Sequence, residues 1–298
     1  MSDCSVHRIS STHLTADRNS VVLFGTYYRS SDRALVQRLR CKSCGRTFST
    51  ASMSPCFNQK KRQVNIPVLK ELCSGVSQRR IAYLKNLNRK TVARKLKFLG
   101  IAAKEALQLT LLNYPKTKQM TFDDLETIEH TKLKPLSVTL AVDDHSRRIL
   151  GIEVSTMGAK GLLVAKSLKK YGKLKDERRV KREQLFTRIK PFIENGALIK
   201  SDENPYYLED VKRHFPNSIH ETWKGQRGSL GGQGELKKIR FDPLFTLNHT
   251  CAMLRANINR LYRKTWCTTK KKEMLEYHLN LYALFHNECA IYQNQKVK

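Results

Sequence analysis

The chain has 298 residues, enough for one sizeable core and one or two small modules. Its 56 Lys and Arg stand against 26 Asp and Glu, a formal charge of +30 that repels itself unless a polyanion is the working partner, so nucleic acid is the expected one. No apolar run approaches the roughly 20 residues of a membrane span, and the opening MSDCSVHRISSTHLTADRNS has no apolar signal core. The expectation is a soluble, intracellular protein with no membrane partner, whose eight cysteines serve metal ligation or core packing and not a disulfide framework. The charge is uneven. Residues 1–120 hold 23 basic and 5 acidic side chains, residues 121–298 hold 33 and 21, so the front should bind and the acids concentrate behind it.

The first elements are two strands, Ser20 to Tyr28 and Ala34 to Cys41, around the turn Arg29-Ser-Ser-Asp32. After them Cys41-Lys-Ser-Cys44-Gly45 forms a knuckle in which glycine lets both thiolates face one ion. Tetrahedral zinc needs two more ligands. Cys4 and His7 have the matching spacing, which predicts a zinc ribbon with structural Zn2+ on Cys4, His7, Cys41 and Cys44. The gap between His7 and Cys41 is longer than common zinc-site spacings, so Cys56 is the substitute ligand, and the plain alternative leaves Cys4 and His7 in a frayed terminus.

From Val64 the apolar period becomes helical. Val68, Leu69 and Leu72 lie on a first helix that breaks at Ser74-Gly75-Val76. Ser77 caps a second, Gln78 to Lys85, with Ile81 and Leu84 inward. Asn88 caps a third, Arg89 to Leu99, on which Val92 and Leu96 pair at i, i+4 while Arg89, Lys90, Arg94, Lys95 and Lys97 project elsewhere. A short second helix, a tight break and a basic third helix together predict a helix-turn-helix that reads DNA through Arg89, Lys90, Arg94 and Lys95, against the blander reading of a solvated basic helix in a small bundle. Ile101 to Leu112 continues as a linker helix.

From Gln119 the period alternates. Met120 to Glu126, Leu136 to Val142 and Arg148 to Val154 read as three strands, with Asp143-Asp144-His145-Ser146 as a turn. A long basic helical stretch, Gly161 to Glu194, precedes a fourth strand, Ala197 to Asp202, a helix, Tyr207 to Phe215, and a short strand, Ile219 to Trp223. Three meandering strands followed by alternating helix and strand predict a mixed sheet of the RNase H type, in which the first and fourth strands are neighbours and Asp123 and Asp202 converge. Two carboxylates in contact repel, and Mg2+ or Mn2+ relieves the repulsion. The third ligand is expected on a helix from Pro243 to Arg263, where Leu247, Cys251, Leu254, Ile258 and Leu261 form the buried stripe and Asn248 lies beside it. Glu235 competes with Asn248, being a true carboxylate, but it follows the Gly-rich stretch Gly225 to Gly234. That stretch lacks a Gly-Lys-Ser/Thr ending, so no nucleotide P-loop is expected.

Across nearly its whole length the sequence resembles insertion-sequence transposases of the Asp-Asp-Glu or Asp-Asp-Asn class, on CKSCGRTFS, on FDDLETIEH around Asp123, on SDENPYY around Asp202, and on LNHTCAMLRANINRLYRKTWCTTK around Asn248. The resemblance implies a multidomain α/β chain: a zinc ribbon over 1–58, a helix-turn-helix domain over 59–118 and an RNase H-like catalytic domain over 119–298. It places Asp123 and Asp202 at the first two catalytic acids and Asn248 where many members carry Glu, a neutral residue at a charged position. It further implies a bacterial, cytoplasmic and nucleoid-associated DNA transposase that acts as a homo-oligomer on double-stranded DNA. The chemistry would be strand cleavage at the element's terminal repeats and 3′-hydroxyl transfer into target DNA, with recombination as the outcome. The competing class is a DNA-binding regulator derived from a transposase with an inactive nuclease site.

Overall fold

The computed structural model of the protein describes residues 20–224, 242–262 and 267–290. It divides into two compact units, Met1–Pro67 and Val68–Lys298. Among the described residues no helix is long and apolar enough to cross a membrane.

In the first unit, β1 (Val21–Arg29), β2 (Ala34–Cys41) and β3 (Thr47–Ser49) form an antiparallel sheet in chain order. The β1–β2 turn is clamped by Arg29, which donates to both oxygens of Asp32 at 2.6 and 2.5 Å. After β2 the chain turns back at Gly45, whose φ of +69° is open to glycine at no steric cost, and Gly45 N donates to the Cys41 carbonyl at 2.9 Å.

The second unit begins within α1 (Asn65–Leu72), followed by α2 (Gln78–Leu84) and α3 (Arg89–Leu111). Ser77 caps α2 by accepting from Arg80 N at 3.2 Å, and Asn88 caps α3 by accepting from Lys90 N at 2.8 Å, satisfying donors that a helix start leaves open. Two expectations need correction. The third helix does not stop at Leu99 but runs unbroken through the expected linker to Leu111, 23 residues or about 35 Å. Gly100 lies within this helix, and a Cβ there would lie 2.5 Å from the Tyr277 carbonyl oxygen, so close packing and not a break accounts for the glycine. Leu84 is 54% exposed and not inward, since Ile81 and Ala82 already supply the buried side of so short a helix.

The large sheet has the order β6-β5-β4-β7-β8, built from β4 (Thr117–Ile128), β5 (Pro135–Asp143), β6 (Ile149–Thr156), β7 (Ile193–Asp202) and β8 (Ile219–Trp223). β4, β5 and β6 meander antiparallel, whereas β4–β7 and β7–β8 are parallel. β5 and β6 are buried along almost their whole length, as strands covered on both faces must be. The expected long helix between β6 and β7 is two helices, α4 (Val164–Tyr171) and α5 (Arg178–Ile189), because Gly172 leaves the helical region at φ +72°. Then α6 (Pro205–His214) joins β7 to β8, and α7 (Phe245–Asn257) and α8 (Lys272–Phe285) close the unit. This mixed α/β architecture with five strands is compatible with an RNase H-like domain.

Candidate active site

The register of the central strands brings the two acids together. In the parallel β4–β7 ladder Met120 pairs with Ile199 and Thr121 with Lys200, so two residues further along both strands Asp123 and Asp202 lie abreast on the same face. Asp123 is raised to about 7, first by burial and then by the negative charge of Asp202, with Asp124 adding to the effect. Two donors oppose the rise: Asp124 N at 2.6 Å and the Tyr207 hydroxyl at 3.3 Å, both on Asp123 Oδ1. Asp202 is also raised, mainly by burial, with the Asp124 charge adding to the rise while Asn204 N, donating to Asp202 Oδ1 at 3.2 Å, and the Arg182 charge oppose it.

Behind this pair lies a charge layer that the sequence did not reveal. Arg182, 3% exposed on α5, donates from Nε to Asp210 Oδ2 at 2.8 Å, and its guanidinium lies 3.6 Å from Asp124. The same guanidinium sits 4.6 Å from the centroid of the Tyr207 ring. Tyr207 is fully buried, and its hydroxyl is pushed up by burial and by the acids around it, so it stays a proton donor to Asp123. Asp124 accepts from Thr139 Oγ1 at 2.5 Å, while its Oδ2 has no hydrogen-bond partner among the described residues. The signal available beforehand was the second Asp of FDDLETIEH and the Tyr of SDENPYY; Arg182 was one cation among many in a basic helix.

The helix expected to supply a third ligand lies beside Asp123. The Cys251 thiol of α7 is pushed up to about 12, first by burial, with the Asp123 charge contributing. Asn248, one turn earlier, is exposed, and its Nδ2 donates to Asp242 Oδ2 at 2.9 Å. Asp242 also shapes the turn that leads into α7, its Oδ1 accepting from Leu244 N at 3.0 Å. Asp242 is a carboxylate at this corner that sequence reasoning passed over. Glu235 and the glycine stretch before it lie outside the described residues, as do Cys4 and His7. Asp143 and Asp144 serve the β5–β6 turn: Asp143 Oδ1 accepts from His145 N and Ser146 N at 3.0 and 2.7 Å, and Asp144 binds Thr121 and, at 3.2 Å, Lys200.

Among the described residues no three His, Cys, Asp or Glu side chains converge as a ligand set. The donors at Asp123 and Asp202 nevertheless suit a hard divalent cation, since both are oxygen ligands and the energetic cost of crowding them is one that a cation removes. At the knuckle, Cys41 is buried and Cys44 exposed, and the Cys41 thiol is lowered to about 6, first by its 3.0 Å contact with Ser43 Oγ and then by the backbone N–H of Cys44. A thiol that ionises so readily suits a soft cation.

On α3, Arg89, Lys90 and Arg94 are exposed near the N-terminus. Lys95 is the correction: at 4% exposure it lies in the buried stripe, because it follows Val92 by three residues and so shares its side of the helix.

No protein-family model and no curated protein matches the chain. Among solved structures it is similar to the Mos1 strand transfer complex, at 9% identity over 77% of each chain with a TM-score of 0.24. An overlap that loose carries no argument about fold or function.

Proposed function

We propose that the protein is a transposase-type, DNA-processing enzyme that cleaves a strand at the ends of an insertion sequence and joins the freed 3′ hydroxyl to target DNA. The observation that carries this reading is the pairing of Asp123 and Asp202 from two adjacent strands, with Asp123 raised to about 7 by burial and by its partner. Asp123 and Asp202 would hold Mg2+ or Mn2+, which would supply Lewis-acid activation of the attacking water or hydroxyl and stabilisation of the leaving oxygen. The chain's own residues prepare that site. Tyr207 and the Asp124 N–H fix Asp123 through Oδ1. Asn204 N holds Asp202 at the end of β7. Asp242 engages the amide nitrogen of Asn248, so the Asn248 carbonyl oxygen is the end of that side chain left to act as a third, neutral donor. Arg89, Lys90 and Arg94 hold the terminal-repeat duplex from the start of α3, and two protomers pair on the two ends. In the first unit Cys41 and Cys44 take structural Zn2+, completed by Cys4 and His7, with Cys56 as the substitute for His7.

The regulator reading has one observation in its favour, the neutral Asn248 where a third acid would stand. A single assay separates the two. Purified protein is incubated with labelled DNA carrying the flanking terminal repeats and Mg2+ or Mn2+; nicked and joined products support the enzyme. Tight binding to those ends with neither product under either metal supports the regulator and overturns the enzyme.

A further inference from the structure

The three-stranded sheet of the first unit carries a face that the function proposed above leaves unused. The pairs Val22↔Arg40, Arg40↔Thr47 and Arg38↔Ser49 put these side chains on one side of the sheet. The guanidinium carbons of Arg38 and Arg40 lie 5.5 and 5.6 Å from the centroid of the Phe24 ring, itself 43% exposed, so one aromatic ring steadies both cations at the surface. Their other contacts are long and neutral: Arg38 donates to Thr47 Oγ1 at 3.4 Å and Arg40 to the Gly45 carbonyl at 3.3 Å.

Neither guanidinium has a carboxylate partner among the described residues. Asp32 is the acid within residues 20–62, and Arg29 holds it. The same stretch carries nine Lys and Arg. On α5 the opposite holds, for Arg178, Arg179, Arg182 and Arg188 each bind an Asp or Glu. Arginines that fasten a fold are spent on carboxylates; Arg38 and Arg40 keep their planar forks for an outside anion. Two residues apart on one strand, they are spaced by about 7 Å, which suits consecutive phosphates of a single DNA strand. The β3 residues opposite the two arginines, Thr47 and Ser49, carry hydroxyls too short to reach a base edge.

We propose that the Phe24, Arg38 and Arg40 face is a sequence-independent clamp on the phosphate backbone of duplex DNA. It rests on the DNA-processing reading for its partner and adds a second grip, made by different residues from the start of α3. Its occupant is argued from charge complementarity: a face with two unpaired cations, on a segment holding nine basic groups and one committed acid, fits a polyanion.

The test measures the affinity of the full chain for a random-sequence 30-base-pair duplex, for a terminal-repeat duplex and for a single-stranded oligonucleotide, each across a salt series. Arg38→Gln with Arg40→Gln should lower the magnitude of the log K against log salt slope by about two, since each lost phosphate contact removes roughly 0.9. Affinity should fall on the order of 50-fold near 0.1 M salt, equally for both duplexes. Arg38→Lys with Arg40→Lys keeps the charge and should keep the slope, which a merely structural role for the two residues would not require. An unchanged slope in the Gln variant overturns the clamp and leaves the cleavage reading standing if the wild type still cuts. A loss confined to the single strand, or a wild type that binds no duplex, also overturns it. A reduced slope together with a wild type that never cuts keeps the clamp and sinks the cleavage reading.

Discussion

Two acids on the large sheet, Glu153 buried on β6 and Asp123 half-buried on β4, meet opposite surroundings. Glu153 is 1% exposed and receives Arg188, Lys104 at 3.2 Å and Lys181 at 3.5 Å, and these cations hold its carboxyl below the usual range although burial pushes the other way. Asp123 faces Asp202 and has Asp124 beside it, and it rises to about 7. Loss of solvent pushes both carboxyls up; the sign of the neighbouring charge differs. A buried acid among cations ties helices to a sheet, here α3 and α5 to β6, whereas a half-buried acid set against another acid holds unfavourable energy that a bound cation releases. The difference distinguishes a structural ion cluster from a candidate site within one sheet.

The largest expected effect comes from removing one charge of the acidic pair. Asp123→Asn or Asp202→Asn should lower strand cleavage on the order of a thousandfold or more while leaving duplex binding unchanged. Gel assays of cleavage and of binding on the same preparation check this, and a variant that cuts normally breaks the comparison. Next in size is Glu153→Gln, which strands Arg188, Lys104 and Lys181 and should cost about 2–3 kcal/mol in urea unfolding, the partial exposure of Lys104 and Arg188 keeping it below the loss for a fully buried pair. Cleavage measured well below the melting temperature should survive that change.

The pH dependence of stability sharpens the contrast. Because Asp123 titrates higher in the folded chain, the folded state keeps a proton that the unfolded state has already released. Metal-free stability should therefore fall as pH rises from about 4 to 7, by on the order of a few kcal/mol. Glu153 acts in the reverse sense: its contribution is present above the ordinary carboxylate range and is lost as pH falls through its lowered value. Metal-free melts across pH should show the first fall flattened in Asp123→Asn and the acid limb weakened in Glu153→Gln. A smaller effect is expected for Tyr207→Phe. Loss of its 3.3 Å bond to Asp123 should cost about 1 kcal/mol and slow cleavage by roughly tenfold without altering DNA affinity.

Much of this fold was legible in the sequence because the strand-like spans Met120–Glu126, Leu136–Val142 and Ala197–Asp202 lie within β4, β5 and β7, although only Ala197–Asp202 is buried in the alternating pattern that the sequence suggests and Leu136–Val142 is buried throughout. The adjacency of Asp123 and Asp202 followed from strand order. What escaped reading depends on partners distant in sequence. Arg182 is indistinguishable from its basic neighbours until α5 lies against Asp210 and Asp124. Asp242 becomes notable only once α7 turns Asn248 toward it. Lys95 was assigned by charge when its spacing from Val92 was the better guide, and the division into α4 and α5 turned on one glycine within a run of lysines and arginines.

The central claim is that Asp123 and Asp202 hold a cation together, and Mn2+ titrated calorimetrically into the metal-free protein at pH 8 tests it without DNA or turnover. The account predicts one site in the wild type that disappears in Asp123→Asn and in Asp202→Asn alike, with wild-type melting raised by Mn2+ and neither variant's melting moved. Equal Mn2+ binding by the wild type and both variants would contradict it.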